Sequence, residues 1–377
     1  MLRGMVKTGL ATGMHYTGMD RLIGTVRGET HQPLVVTYHR VVENFEASAA
    51  SSIEPMLISA ATLQAHLEWL GQYYRFVSLD ELADYIDDTP LGGKPVASIT
   101  FDDGYADVFR NAYPVLKRMG IPFAVFVVSD FVGTNRMHIH DELFLLLSEA
   151  VEQWRAPRTR LSALVKEIKQ GSPDPAMTLR LGKAQSDPFN LTRVCFEMLS
   201  QVENERLIER LRQSIGHAEK YLEEFSPLDW DMLKEMANNG VTIGSHTRTH
   251  SLLSCQLSNR VQEEITGSKS VLEERLGIKI THFAYPDGRF NADTVRSVAA
   301  AGYRCAYTIC RHQDSQYPWL TIPRKVLWEN SCLGSFGKFS PSIMSCQVNG
   351  IFDPSRNCHQ KHEGSAPIGN KIDLQLN

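Results

Sequence analysis

Two adjacent carboxylates end an apolar run in Thr100-Phe101-Asp102-Asp103-Gly104-Tyr105. Burying neighbouring like charges is costly unless a cation or a proton offsets them. The doublet is therefore either a helix cap followed by a solvated acid or a site. A second cluster, Ser245-His246-Thr247-Arg248-Thr249-His250, also follows an apolar run, Val241–Gly244. Read as one helical turn, the spacing of His246 and His250 puts both imidazoles on one face, within reach of one cation. In a chain with 13 histidines that spacing is weak alone, and its place at a strand end gives it weight. One Asp with two His suits borderline divalent metals and leaves positions open for water and substrate. A third segment, Phe283-Ala284-Tyr285-Pro286-Asp287-Gly288, must turn tightly. It can aim a backbone N–H at a developing oxyanion, although an ordinary β-turn has the same signature. The fourth is His39, in Thr37-Tyr38-His39-Arg40-Val41. A lone His there is more often structural than catalytic.

The elements that must position these groups are short apolar runs rich in β-branched and aromatic residues: Leu34–Tyr38, Val96–Phe101, Phe123–Val128, Val241–Gly244, His282–Tyr285, Ala306–Ile309 and, last, Thr321–Val326. Helical patterns lie between them, at Thr62–Tyr74, Asp107–Met119, Pro227–Asn239, Ser258–Leu276 and Asn291–Ala301. The alternation predicts an α/β fold of parallel strands, either a doubly wound sheet or a (β/α) barrel. One stretch, about 135–225, breaks the pattern and reads as a helical insertion, with helices at Asp141–Trp154, Arg160–Lys169 and Leu191–Ile215 and a turn-rich linker at Gly171–Met177. Residues 1–30 read as an N-terminal arm, 31–330 as the main domain and 331–377 as a polar, disordered tail.

Composition excludes some partners. The 377 residues are 42% hydrophobic and carry a net charge of −4, so no global basic excess recruits nucleic acid. The arm has early positive charges but no uninterrupted apolar core, and reads as a helix or a disordered arm, with peripheral contact to a membrane surface as the alternative. No segment has the apolar length to span a bilayer. The seven cysteines form no Cys-x-x-Cys pair, and their odd number argues against a full disulfide framework. Both features point to reduced thiols and a cytoplasmic protein.

Taken together, the TFDDG, SHTxxH and FAYPxG segments resemble, in this order, the polysaccharide deacetylase family, also called the NodB-homology domain or carbohydrate esterase family 4. The resemblance runs through most of Leu34–Val128 and Leu228–Arg324 and omits the insertion and the tail. It implies a distorted (β/α)7-type barrel carrying the insertion, and an enzyme that removes acetyl groups from N-acetylated sugars. It also implies roles: Asp102 as catalytic base, Asp103, His246 and His250 as metal ligands, and the Asp287 amide as oxyanion donor. The implied cation is zinc, with cobalt, nickel or iron able to take the same set. Two departures stand out. The family Arg that orients the catalytic Asp is replaced by Ala284; Arg324 is taken into the site as its substitute, with Arg40 as another candidate. The C-terminal His motif is missing, whereas TYHRV resembles the permuted, N-terminal arrangement of the biofilm-polysaccharide branch, which makes His39 the general acid. Release of O-acetyl groups, and a non-catalytic carbohydrate-binding barrel, are the alternative readings.

Overall fold

Eleven short strands carry the fold: β1 (Leu34–Tyr38), β2 (Arg40–Val42), β3 (Leu57–Ser59), β4 (Arg75–Phe76), β5 (Val96–Phe101), β6 (Phe123–Val127), β7 (Thr242–Ser245), β8 (His282–Ala284), β9 (Cys305–Thr308), β10 (Ile322–Pro323) and β11 (Lys325–Val326). They come from a computed structural model that describes residues 2–28, 33–87, 93–169, 171, 175–184, 187–216 and 221–353. The main sheet runs β10-β9-β8-β7-β6-β5-β1-β11, and its pairings are parallel. Its two ends, β10 and β11, are one stretch of chain with Arg324 between them. Ile322 pairs with Tyr307 of β9, and Lys325 pairs with Val36 of β1. One segment therefore joins both edges and closes the sheet into a distorted barrel, as the resemblance implied, rather than an open doubly wound sheet.

Every residue of β1, β5 and β6 is buried, as expected of strands covered on both faces. The period-2 alternation of side chains sorts them. Phe123, Val125 and Val127 join the core under the helices. Val35, Ala124, Phe126, Ala284, Tyr307 and Ile322 form a second core with Leu79, Leu82 and Ala83 of the helix Leu79–Asp87. That second core fills the barrel interior. Its parity continues to Thr37 and His39, to Thr100 and Asp102, and to Arg324, so the polar groups fall at the C-terminal rim, where parallel α/β folds build sites.

Several expectations need correction. The segment Leu191–Ile215 is two helices, Pro188–Met198 and Gln201–Ile215, because Ser200 starts the second with a capping box shared with Glu203. Asp107–Met119 opens with a π turn, Val108–Ala112, followed by the helix Tyr113–Met119, since Pro114 has no N–H to continue the regular ladder. Pro175–Met177, expected in a linker, begins a helix that runs to Lys183. The insertion has its own apolar core, including Leu146, Leu161, Leu191 and Leu207.

The tail is not structureless at its start. A helix, Pro341–Val348, packs on the N-terminal helix Leu2–Tyr16 through Ile343, Cys346 and Ala11. Ser345 donates to buried Asp20 at 2.6 Å, and Gly24 leaves room for Asn349, which an added Cβ would strike at 2.2 Å. Arm and tail thus clasp each other; residues 354–377 lie outside the described residues. Cys195, Cys255, Cys332 and Cys346 are free thiols, and Cys358 falls in the undescribed stretch. No helix among the described residues is long and apolar enough to cross a membrane.

The insertion core makes a stability prediction. Leu207 is fully buried in it, so Leu207→Ala should cost about 2–5 kcal/mol in urea unfolding. A change below about 0.5 kcal/mol would mean that these helices do not pack as described.

Candidate metal and catalytic site

The two carboxylates of the doublet are almost fully buried and diverge to different partners. Asp102 follows β5 and keeps the interior parity of Thr100. Both its oxygens accept from Arg324, Oδ1 from Nη1 and Oδ2 from Nη2, each at 2.7 Å. Nη1 also reaches Thr100 Oγ1 at 3.2 Å and Thr37 Oγ1 at 3.3 Å, and the guanidinium lies over Phe126 and Tyr307. Burial alone would raise the Asp102 carboxyl, but Arg324 first, then His246 and His39, hold it below the usual range. Of the two substitutes for the missing family Arg, Arg324 meets Asp102. Arg40 is bound instead to Asp107, Ser52 and the Glu224 carbonyl.

Asp103 adopts φ 70°, a left-handed conformation that breaks the strand alternation and turns its carboxylate the other way. Its Oδ1 lies 3.5 Å from His246 Nε2 and 3.2 Å from His250 Nε2. One ligand atom from each of Asp103, His246 and His250 lies within 4.8 Å of the other two. His246 Nδ1 donates to the Ala284 carbonyl at 2.8 Å, which leaves a bare lone pair on Nε2. Asp103 Oδ1 is buried and accepts no hydrogen bond. Buried acceptors converging without a donor between them fit a cation. The donor set, two imidazoles and a carboxylate, suits a borderline divalent ion.

The histidines do not meet as the spacing argument expected. Residues 246–250 are not helical. Thr247 and His250 both have positive φ, 67° and 62°, and the loop brings the rings to 5.0 Å, tilted by 65°. Such backbone costs about 1–3 kcal/mol per residue, so something must hold it. Glu264, fully buried on the helix Ser258–Leu276, accepts from the backbone N–H of Arg248 and of Thr249, each at 2.9 Å, and from the Thr249 hydroxyl at 2.7 Å. Asp287 is the fourth non-glycine residue with positive φ among the described residues, at 53°. All four lie in the three motifs.

His39 follows β1 on the interior parity, and its Nδ1 is buried without a hydrogen bond. Sequence reasoning missed the groups that the insertion brings to the same rim. His140 opens the helix Ile139–Gln153 and puts Nε2 4.0 Å from Asp103 Oδ2. Tyr105 donates its hydroxyl to Asp141 at 2.6 Å and lies 2.8 Å from His140 Nε2. Burial pushes the Asp141 carboxyl up to about 6 and His138 and His140 down to about 3. His138 stacks between Phe131 and His140. A motif reading passes over Met137-His138-Ile139-His140-Asp141 because the segment belongs to the insertion, outside the family pattern; its dense pairing of His with Asp was the available signal.

The insertion is also fastened to the loops that carry His250 and Asp287. Gln201 donates to Thr249 Oγ1 at 2.9 Å, and Glu197 pairs with Arg289, which binds Asp287 at 2.7 Å. Beside His250, Ile139, Phe196 and Leu252 enclose only about 30 Å³.

Two variants test the pairing. Arg324→Ala leaves Asp102 buried and unpaired and should cost about 3–5 kcal/mol in unfolding experiments. Tyr105→Phe removes the only hydrogen bond described to Asp141 and should cost about 1–3 kcal/mol. Wild-type stability in both would contradict the network.

Comparison with known proteins agrees with this geometry. The family described as polysaccharide deacetylase matches residues 91–170 and 196–306, about half of the chain. The Bacillus subtilis (strain 168) protein YxkH is 21% identical over 259 residues, 68% of this chain and 61% of that protein. The poly-beta-1,6-N-acetyl-D-glucosamine N-deacetylase of Staphylococcus aureus is 30% identical over 115 residues, 28% of this chain and 39% of that protein. The chain thus spans less than two thirds of the length of either relative. Among solved structures, the Streptococcus pyogenes deacetylase PplD in complex with acetate superposes with a TM-score of 0.52 at 17% identity, covering 84% of this chain and 98% of that one. IcaB from Ammonifex degensii gives 0.50 at 19%, covering 84% and 97%. The fold is shared with both, and with half of its length matching the family description, the chain belongs to the polysaccharide deacetylase family.

Proposed function

We propose that this chain is a metal-dependent N-deacetylase that removes acetyl groups from N-acetylhexosamine units of a polysaccharide, or of its oligosaccharide or lipid-linked precursor, releasing acetate. The observation that carries the reading is the division of the acidic doublet: Asp102 is held ionised by Arg324, while Asp103 faces two imidazoles without a donor between them. Two carboxylates with different partners serve two tasks. The S. aureus relative, named as an N-deacetylase of a poly-N-acetylglucosamine, supports the substrate class.

Asp103, His246 and His250 would hold the cation, for which zinc suits the donor set. When bound, a divalent ion polarises the acetyl carbonyl and acidifies a water. Asp102 takes the proton of the attacking water. Each of its oxygens uses one lone pair on Arg324, so another remains to receive the proton. As the C–N bond breaks, His39 gives a proton to the departing nitrogen. The water oxygen leaves in acetate, and the sugar keeps a free amine. The backbone N–H of Asp287 contributes a hydrogen bond to the oxyanion. Glu264 and Gln201 act by fixing the loop that carries His250.

Acetate release from N-acetylglucosamine oligosaccharides tests this reading. Asp102→Asn should lower turnover by about 10²–10⁴-fold while zinc stoichiometry, read by atomic absorption, stays near wild type. Asp103→Asn should lose the metal as well. Exhaustive chelation should abolish activity, and added zinc should restore it. Unchanged acetate release after chelation would refute metal dependence, and an active Asp102→Asn would refute the base.

A further inference from the structure

The two N-terminal helices present an unusual surface. Among residues 4–16 of the helix Leu2–Tyr16, the exposed ones are Gly4, Met5, Val6, Gly9, Leu10, Gly13 and Tyr16, none of them charged. Met5, Val6 and Leu10 are 56%, 63% and 56% exposed, and Tyr16 is 84% exposed. The second helix, Met19–Val26, continues the face with Met19, Leu22 and Val26, the last 82% exposed. A helix lying on a protein core normally turns its apolar stripe inward and its charges outward. Here the inward side is already occupied: Ala11 is fully buried against Ile343 and Cys346, and Asp20 is bonded to Ser345. The outward apolar face is an addition to that packing.

A third element extends the same surface. Gly334 lies against the Thr8 side chain, and the turn that starts there holds up Phe336, 92% exposed, followed by Lys338. The charges in these segments are one-sided. Residues 2–28 and 331–350 carry Arg3, Lys7, Arg21, Arg27 and Lys338 against Asp20 alone, in a chain whose net charge is −4. The single acid is buried and hydrogen-bonded, so it does not offset the cations at the surface. Apolar side chains projecting outward with cations around them match a lipid–water interface carrying negative headgroups. The clasp between arm and tail presents them as one surface rather than as loose segments.

We propose that this surface docks the protein on an anionic membrane, with the helices Leu2–Tyr16 and Met19–Val26 lying in the plane of the interface and Phe336 inserted beside them. The charge asymmetry is what selects a membrane over a second copy of the chain, since two such cationic faces would repel each other. The inference does not rest on the proposed deacetylation. Docking would hold the barrel at a surface where polymer or lipid-linked saccharide is concentrated.

The test is flotation of the full chain with vesicles of phosphatidylcholine alone or with phosphatidylglycerol. The wild type should float with the anionic vesicles, and binding should fall as salt rises. The triple variant Val6→Ser, Leu10→Ser, Leu22→Ser should lower binding on the order of tenfold or more, and Phe336→Ser should weaken it as well. These positions are exposed, so the variants should keep wild-type circular dichroism and zinc content. Lys338→Glu with Arg27→Glu should shift the salt dependence. Failure to float with either vesicle, or flotation unchanged by the apolar variants, would overturn the proposal. A concentration-dependent dimer in sedimentation velocity that the triple variant abolishes would assign the face to a second copy and overturn it too. If deacetylation of soluble oligosaccharide were absent while flotation behaved as described, the functional reading would fail and the docking inference would stand.

Discussion

The bidentate contact between Arg324 and Asp102 is the interaction on which the rest of the site depends. Two neighbouring carboxylates at a buried strand end repel each other, and burial disfavours both charges. The fold separates them by backbone conformation. Asp102 keeps the strand alternation and points into the barrel, where a guanidinium with a matching fork receives it. Asp103 takes φ 70° and points away, toward imidazoles. Neither arrangement works without the other, because an unpaired Asp102 would compete for any cation held by Asp103.

That contact also links chemistry to barrel closure. Arg324 sits between the two short strands that seal the sheet, with its neighbours paired to opposite edges. The residue that keeps Asp102 ionised is thus in the seam of the fold. Ala284 stands where the sequence resemblance implied an arginine, and its carbonyl accepts from His246 Nδ1. The positive charge reaches Asp102 from Arg324, in the link between β10 and β11.

Much of this was legible in the residues. The strands show because buried parallel strands read as continuous apolar runs, and the doublet, the histidine pair and the Pro-Asp-Gly turn each stand at the end of one. Arg324 could be named as the substitute for the missing arginine, but its fork on Asp102 was not legible, because that depends on which segment closes the barrel. The geometry of His246 and His250 was misread for a physical reason: spacing predicts a shared face only for regular structure, and this loop contains two left-handed residues stabilised by Glu264, whose importance shows only when its backbone partners are seen. The break at Ser200 was readable as a capping box with Glu203, but the helical periodicity on both sides masks it. The start of the tail was read as disordered because it is polar and lacks periodicity; its helix Pro341–Val348 is stabilised by packing on the arm.

The insertion belongs to the site rather than decorating it. His140 and Asp141 stand at its entry, Gln201 and Glu197 tie it to the two loops that carry His250 and Asp287, and its own apolar core gives it the stiffness to hold those positions. A tightly fastened wall fixes the positions of His250 and Asp287.

The most direct measurement is anomalous diffraction from crystals soaked in zinc. The account predicts one peak bounded by Asp103, His246 and His250, with Asp102 still paired to Arg324. A peak coordinated by Asp102, or no peak between Asp103 and the two histidines, would contradict it.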